Sequence, residues 1–317
     1  MADTSQSHDT LDIRLANLGI TVLERGWLSA NSIVMDADAG SLVVDTGYAT
    51  HADQTVALIR QTLEGRPLDR IVNTHLHSDH CGGNAALLEA WPAARIGIPP
   101  GQAAAVRHWD PVALTYVPTG QICPRFDYNN LIRPGDRLSV GGLSWEAHAA
   151  PGHDPHAIVL HEPDQRILIS GDALWNNGFG VVFPELDGAN AFDEVADTLD
   201  LIEALAPSTV IPGHGPVFQG AEVAAAMARA RSRLLQFQRD PAKHRRHALK
   251  VLIKFKMLEL QRIERDSLQT WFGSSDYFVR IARVDHPQLP SEVLNSLLKE
   301  LEQAQALAIR GNWIFNQ

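Results

Sequence analysis

The segment His75-Leu76-His77-Ser78-Asp79-His80 puts four metal-capable side chains within six residues. Imidazole and carboxylate suit Zn²⁺ and other borderline divalent ions, with iron and manganese as alternatives. A helix would spread these side chains over several faces. A loop just after a strand can aim them at one point, and residues 69–75 (DRIVNTH) read as such a strand. Cys81-Gly82-Gly83-Asn84 then allows a tight turn and a close backbone approach before the next helix. A lone histidine on a strand is most often a satisfied polar residue. Three histidines and an aspartate at this spacing need another account.

Three more candidates recur at the same kind of position. His153 stands in Ala-Pro-Gly-His after a β-rich run, Asp172 in Ser-Gly-Asp after RILIS, and His214 in Gly-His-Gly after STVIP. Each sits where a buried strand ends and a glycine-bearing loop begins. Ligands at the same ends of neighbouring strands meet in one cleft, which points to a metal centre built from His75, His77, Asp79, His80, His153, Asp172 and His214.

The elements that must position them follow from pattern. Short β-rich runs fill residues 20–45, and a helix is expected over 52–64. NAALLEAWP reads as a helix ended by Pro92, and RIGIPP as a short strand. Residues 108–136 are rich in Pro, Gly and aromatics and read as a long loop or insertion near the site. LSWEAHAA, AIVLHEP and RILISGD make a second β series, followed by a helix over 189–207, the strand STVIP and a long amphipathic helix from about residue 222. From about 243 the texture changes. A basic helix, a second helix over 267–283, a third opened by Pro290 and Ser291, and a hairpin turning at Gly311 and Asn312 give the element order of a winged helix. We therefore expect two domains, residues 1–242 and 243–317.

Charge supports two units. Residues 243–317 hold twelve Lys and Arg against eight Asp and Glu, while the rest holds fifteen against twenty-nine, within a formal net charge of -10. No apolar run approaches the roughly 18 to 20 residues of a membrane span. The polar, acidic start lacks a basic segment followed by an apolar core, so a cytoplasmic protein is expected. Two cysteines among 317 residues are too few for a disulfide framework, which fits a reducing compartment.

His75-Leu76-His77-Ser78-Asp79-His80, followed in order by His153, Asp172 and His214, resembles the metallo-β-lactamase superfamily over roughly residues 18–218. Asp45, in Val-Val-Asp-Thr-Gly, matches a further motif, a buried position behind the metals. The resemblance implies an α/β fold, an αββα sandwich of two mixed sheets flanked by helices, with the site along one edge. It implies that His75, His77 and His153 hold one divalent ion, that Asp79, His80 and His214 hold the other, and that Asp172 bridges them. A water shared by two dications loses its proton near neutral pH and attacks a carbonyl or phosphorus centre. Asp79 would orient that nucleophile or shuttle its proton.

The zinc-binding cysteine of the antibiotic-hydrolysing members is absent, with Asp172 in its place. This favours the glyoxalase II, lactonase and RNA-processing branches. Trp175, Phe179 and Phe183 are pocket candidates in the loop after Asp172. Tyr116, with Tyr128 and Trp109, is a weaker one in the 108–136 insertion. His156 and Asp154 are read as structural or supporting neighbours of His153, and Cys81 as a small buried residue. The leading expectation is hydrolysis of a small thioester, lactone or related ester. One alternative is an endoribonuclease or phosphodiesterase that grips RNA through Lys243, Arg245, Arg246, Lys250, Lys254 and Lys256. The other is a sulfur dioxygenase with a single iron. The acidic main body weighs against polyanions. The terminal unit is therefore expected to cap the cleft or to form a homodimer.

Overall fold

The computed structural model describes residues 11, 13–38, 40–285 and 290–317. The reading of the chain's start falls largely on residues 1–10, outside the described residues. Two six-stranded sheets stack face to face. The first runs in the order β1 (Ile20–Leu23), β2 (Ser32–Ala37), β3 (Gly40–Val44), β4 (Arg70–Val72), β5 (Arg95–Ile98) and β6 (Asn130–Leu131). The second comprises β7 (Arg137–Val140), β8 (Leu143–Ala149), β9 (Ile158–Glu162), β10 (Ile167–Gly171), β11 (Thr209–Pro212) and β12 (Phe218–Gln219), also with neighbours in chain order. Both are mixed: β1 to β3 are antiparallel and β3 to β6 parallel, while in the second sheet only β10 and β11 are parallel.

Successive strand residues point to opposite faces, and the sequence alternates its burden accordingly. Leu42, Val44 and Val72 face the second sheet's Trp145, Leu160, Ile167 and Ile169 in the central core. Their neighbours Val43, Ile71 and Ile96 point outward and are covered by Ile59 and Leu87 of the helices Ala52–Thr62 and Asn84–Ala90. On the other outer face, Val159, Leu168 and Val210 are covered by the helices Ala191–Leu205 and Ala221–Arg239. The strands are apolar on both faces because both faces are buried. Trp145 is the largest fully buried side chain, and truncating it to Ala would cost about 3–5 kcal/mol.

The edge of the sandwich is where direction matters. β3 and β4 run parallel with Val44 opposite Val72, so Asp45 and the 73–80 segment leave the first sheet side by side. β8, β10 and β11 share one direction, because β9 is antiparallel to both β8 and β10. Their C-terminal ends therefore deliver His153, Asp172 and His214 to one edge. The sheets are tied there: the Ile158 amide donates to Thr74 O at 2.9 Å, and the Asn31 amide donates to Gly213 O at 2.7 Å.

After the helix Ala221–Arg239, Asp240 caps the helix Pro241–Leu260 by accepting from the Lys243 amide at 3.1 Å. The helix expected over 267–283 is two, Arg265–Ser274 and Asp276–Asp285. Ser275 breaks them with extended backbone, and its hydroxyl donates to Pro118 O at 2.8 Å. The helix Pro290–Gln303 follows, and the expected hairpin, β14 (Leu307–Arg310) and β15 (Trp313–Asn316), gains a third strand, β13 (Arg262–Glu264), on β15. These elements share a core of Leu252, Phe272, Phe278, Leu297 and Ile314, against which Phe183 and Leu186 of the main body also pack. Phe255 meets Tyr48 edge-on at 5.0 Å, and the Tyr48 hydroxyl donates to Glu259 at 2.8 Å. The 108–136 insertion is partly ordered by a short helix, Tyr116–Thr119, and by β6.

Candidate metal centre

His75 and His77 lie on the loop after β4, but Asp79 and His80 sit on a one-turn helix, Ser78–Cys81, rather than on the loop expected for all four. The cluster still converges, because the turn is short and is pinned: the Thr46 amide donates to His80 O at 2.7 Å and Asn73 Nδ2 to the same oxygen at 3.1 Å. Ligand atoms of His75, His77 and His153 lie within 4.8 Å of one another, as do those of His75, His80 and Asp172 and those of Asp79, His80 and His214.

Asp172 stands between the groups. Its Oδ2 is 3.3 Å from His153 Nε2, while its Oδ1 is 3.2 Å from His80 Nε2 and 3.8 Å from His214 Nε2. Asp79 Oδ2 is 3.1 Å from His214 Nε2. Gly213 makes this approach possible, since a Cβ there would lie 2.4 Å from Asp172 Oδ1 and 2.9 Å from His80 Cε1.

Hydrogen bonds behind the cluster fix which nitrogens are bare. Asp45 Oδ2 accepts from His80 Nδ1 at 2.7 Å and from the Thr74 hydroxyl at 2.8 Å. The Thr74 hydroxyl, having donated, accepts from His75 Nδ1 at 3.1 Å. His153 Nδ1 donates to Val181 O. The Nε2 atoms of His75, His80 and His153 are then left with lone pairs facing inward. His80 Nε2 is fully buried with no hydrogen-bond partner. His75 Nε2 and His153 Nε2 both crowd His77 Nδ1, at 3.0 and 2.8 Å. Bare acceptors aimed at one point call for a cation, and the donor set fits divalent metal.

Electrostatics agree for His75 and His153. At His80, burial is outweighed by the carboxylates of Asp172, Asp45 and Asp79, which hold the imidazole well above its ordinary pKa, so that a proton takes the place a cation would fill. Burial and then the neighbouring imidazoles hold His75 well below its ordinary pKa, and burial and His77 push His153 down to about 4. Burial opposes charge on Asp172, but His80 and His214 outweigh it and keep the carboxyl well below the usual range.

The profile of the metallo-beta-lactamase superfamily matches residues 25–214, which include every residue of this cluster. The chain belongs to the metallo-beta-lactamase superfamily.

Within that superfamily, the chain is 32% identical over 171 residues to hydroxyacylglutathione hydrolase of Aeromonas salmonicida, covering 54% of either chain. It spans about half the length of the curated relatives it matches. The crystal structure of the metallo-beta-lactamase family protein TTHA1429 from Thermus thermophilus covers 94% of this chain and 99% of that one, with a TM-score of 0.55 at 19% identity, a likeness of fold alone. The protein TTHA1623, solved in a di-iron-bound form, is 26% identical with a TM-score of 0.52, covering 65% of this chain and 98% of that one.

A cavity of about 560 Å³ opens on the metallo-beta-lactamase cluster and reaches His77, Asp79, His153, Asp172 and His214. Of the pocket candidates, Trp175 and Phe183 line it. Trp175 Nε1 donates to Asp172 Oδ1 at 3.1 Å, and Phe183 meets His77 edge-on at 5.4 Å. Phe179 and Tyr116 do not line it. Phe179 is buried with Phe192, Val195 and Phe237 under the second sheet, where an apolar ring adds to the core. Tyr116 is buried behind the cluster, its hydroxyl donating to Leu76 O at 2.9 Å beside Cys81 Sγ at 3.2 Å. Trp109 packs with it, and Tyr128 accepts from Arg107 on the outer face. Asp154 caps the His156 amide at 2.7 Å, and the exposed His156 ring lies against Gly101.

Pattern reading expected the terminal unit to cap the cleft or to dimerise, but it named no residue as part of the far wall. Trp27 stacks on His214 at 5.4 Å with planes 7° apart. Arg233, His247, Val251, Leu252 and Phe255, all on the last two long helices described above, line the cavity as well. The apolar spacing of Leu252 and Phe255 signalled burial, and nothing in that spacing says which residues close a cavity.

Proposed function

We propose that this chain is a binuclear metal-dependent hydrolase acting on a small acyl ester, thioester or lactone. The observation that carries the reading is the Asp172 carboxylate, with one oxygen toward His153 and the other toward His80 and His214. His75, His77 and His153 would hold one ion, Asp79, His80 and His214 the second, with Asp172 shared. Two such ions, most simply zinc, supply Lewis acidity, which lowers the pKa of water and draws charge from a carbonyl oxygen. Two complete groups of donors support two ions over the single iron of a dioxygenase. The di-iron form of TTHA1623 is a precedent for two ions in a relative.

The chain's own residues do the rest. Asp45 and Thr74 hold His80 and His75 in the tautomers that leave Nε2 bare. Asp79 stands on the cavity wall with Oδ2 3.1 Å from His214 Nε2, placed to orient water or take its proton. Trp27, Trp175 and Phe183 line the cavity beside the cluster, and the burial of His75, His80, His153, Asp172 and His214 strengthens every charge interaction there.

The C-terminal elements are read as a cap. The basic stretch is spent internally: Arg246 and Lys250 pair with Glu300, Lys254 donates to Ala306 O at 2.7 Å, and Lys256 donates to Gly120 O at 2.6 Å. That favours closure of the cleft over a grip on RNA phosphates. The deciding experiment is elemental analysis of the purified protein beside a panel of thioesters, lactones and phosphodiesters. Two equivalents of metal with ester or thioester turnover supports the reading. Turnover of phosphodiesters alone, or a single bound iron with oxygen consumption, overturns it.

A further inference from the structure

The cavity holds an unspent cation. Arg233, on the helix Ala221–Arg239, is half-buried, and among the described residues no hydrogen bond or ion pair holds its guanidinium. The other arginine lining the cavity, Arg280, is taken up by Asp187 at 2.5 Å and by the face of Tyr277 at 5.2 Å. His247, nearby, is pushed down to about 4 by burial and then by Arg233 and Lys250, so it is neutral at pH 7 and adds no charge. A guanidinium drawn partly out of water and left unpaired is unfavourable by itself, and an incoming anion removes that penalty with charge-assisted hydrogen bonds.

Its placement is fixed by one turn. Trp175 and Gly178 pair across it, with the Trp175 amide donating to Gly178 O at 2.6 Å. One side of the turn touches the shared carboxylate through Trp175 Nε1. Against the other side packs Arg233 of the helix, whose Cζ would lie 2.9 Å from a Cβ on Gly178. Arg229, one turn earlier on the same helix, locks the loop by donating to Asn176 O at 2.8 Å and to Asn176 Oδ1 at 3.0 Å. The guanidinium therefore lies against the same turn whose Trp175 indole reaches the metal cluster. Val112, Val251, Leu252 and Phe255 give the same cavity an apolar lining, beside the polar Thr115 and Asn177.

We propose that Arg233 binds an anionic group, a carboxylate in the simplest case, at the end of the substrate away from the scissile bond, and that the body of the substrate is apolar. This rests on the hydrolase reading above and narrows it to monoanionic acyl esters or thioesters.

The test compares mono-4-nitrophenyl adipate with its methyl ester, using metal-loaded wild type, Arg233→Gln and Arg233→Lys. Wild type should prefer the anionic ester at least ten-fold in kcat/KM, mainly through KM. Arg233→Gln should lose at least ten-fold more on the anionic ester than on the methyl ester, and Arg233→Lys should recover part of the loss. Calorimetric titration with hexanoate supplies a readout without turnover: binding should weaken at least five-fold in Arg233→Gln, whose melting temperature checks the fold. Loss of hexanoate binding with no ester turned over by wild type would keep the anion site and sink the hydrolase reading. Turnover of both esters with equal losses in Arg233→Gln, or unchanged hexanoate binding, overturns the anion site and leaves the hydrolase reading standing.

Discussion

The carboxylate of Asp45 accepts the Nδ1 proton of His80 at 2.7 Å, and both side chains are buried. Asp45 also accepts from the Thr74 amide, so one side chain ties the end of β3 to the loop after β4 and sets the orientation of a metal-binding imidazole. Its backbone is left-handed, with φ 57°, a conformation that Asp and Asn tolerate better than other side chains.

Asp45→Asn should keep the backbone and lose the charge. The Asn amide nitrogen would stand either in place of Oδ2, facing both His80 Nδ1 and the Thr74 hydroxyl, or in place of Oδ1, facing the Thr74 amide, and it accepts from none of them. We expect metal affinity to fall about 10–100-fold, read by competition with a fluorescent chelator, while the melting temperature without metal changes little. Equal metal affinity in the variant and wild type would show that Asp45 plays no part in orienting His80.

Replacing Asp172 by Ala removes both oxygens that face the two His groups. The expected outcome is loss of at least one equivalent of metal by elemental analysis and loss of ester turnover. Wild type stripped by a chelator should be inactive too, but should recover when divalent metal is restored. A D172A protein that still holds two ions and turns over would overturn its bridging place.

Gly213→Ala is a test by shape alone. The added methyl would meet Asp172 Oδ1 at 2.4 Å and His80 Cε1 at 2.9 Å, so something must shift. Overpacking of this kind costs about 1–3 kcal/mol, and here it should also lower metal content. Urea unfolding and metal analysis of one preparation read both effects. Unchanged values in both would mean that the edge of the sandwich is softer than the geometry says.

The metal cluster was legible because ligand geometry demands it locally: His75, His77, Asp79 and His80 come in one short segment, and His153, Asp172 and His214 each close a buried strand. The strands were legible as β-rich runs, but their stacking into a sandwich was expected from the resemblance carried by the motif order, not from their periodicity. The cavity's far wall was not legible. Leu252 and Phe255 show only that their helix is buried, and burial against Tyr48 and the 112–119 segment is a tertiary fact without a local signature. Tyr116 and Phe179 misled in the opposite direction. Each lies close in sequence to cavity-lining residues, but the Tyr116 hydroxyl is satisfied behind the cluster by Leu76 O, and Phe179 fills the outer core. The break at Ser275 was hidden because the helical apolar spacing runs through it.

Phe255→Ala tests the cap. The ring packs on Tyr48 and lines the cavity, so its removal should widen the cavity without touching the metal cluster. We expect KM for an ester substrate to rise several-fold with kcat nearly kept, the pattern of lost uniform binding. A collapse of kcat at unchanged KM would mean that the cap acts on the chemistry rather than on binding.

His244 connects pH to the same edge. Its Nε2 accepts from the Val182 amide at 3.3 Å, next to Val181, whose carbonyl holds His153 Nδ1. Burial, followed by His247 and Arg245, pushes His244 down to about 3, against an ordinary value near 6.5. Between those values the unfolded chain binds the proton that the folded chain refuses. Stability from this group is therefore complete above about pH 6.5 and is lost as the pH falls toward 3, by up to about 1.4 kcal/mol per pH unit. His247, pushed to about 4, adds a slope of the same sign. His244→Gln keeps an acceptor for Val182 and cannot titrate. Urea unfolding at pH 7 and pH 5 should show a smaller acid loss in His244→Gln than in wild type, and adding His247→Gln should flatten it further. Equal losses in all three proteins would mean that His244 is protonated in the folded state, with the Val182 contact broken.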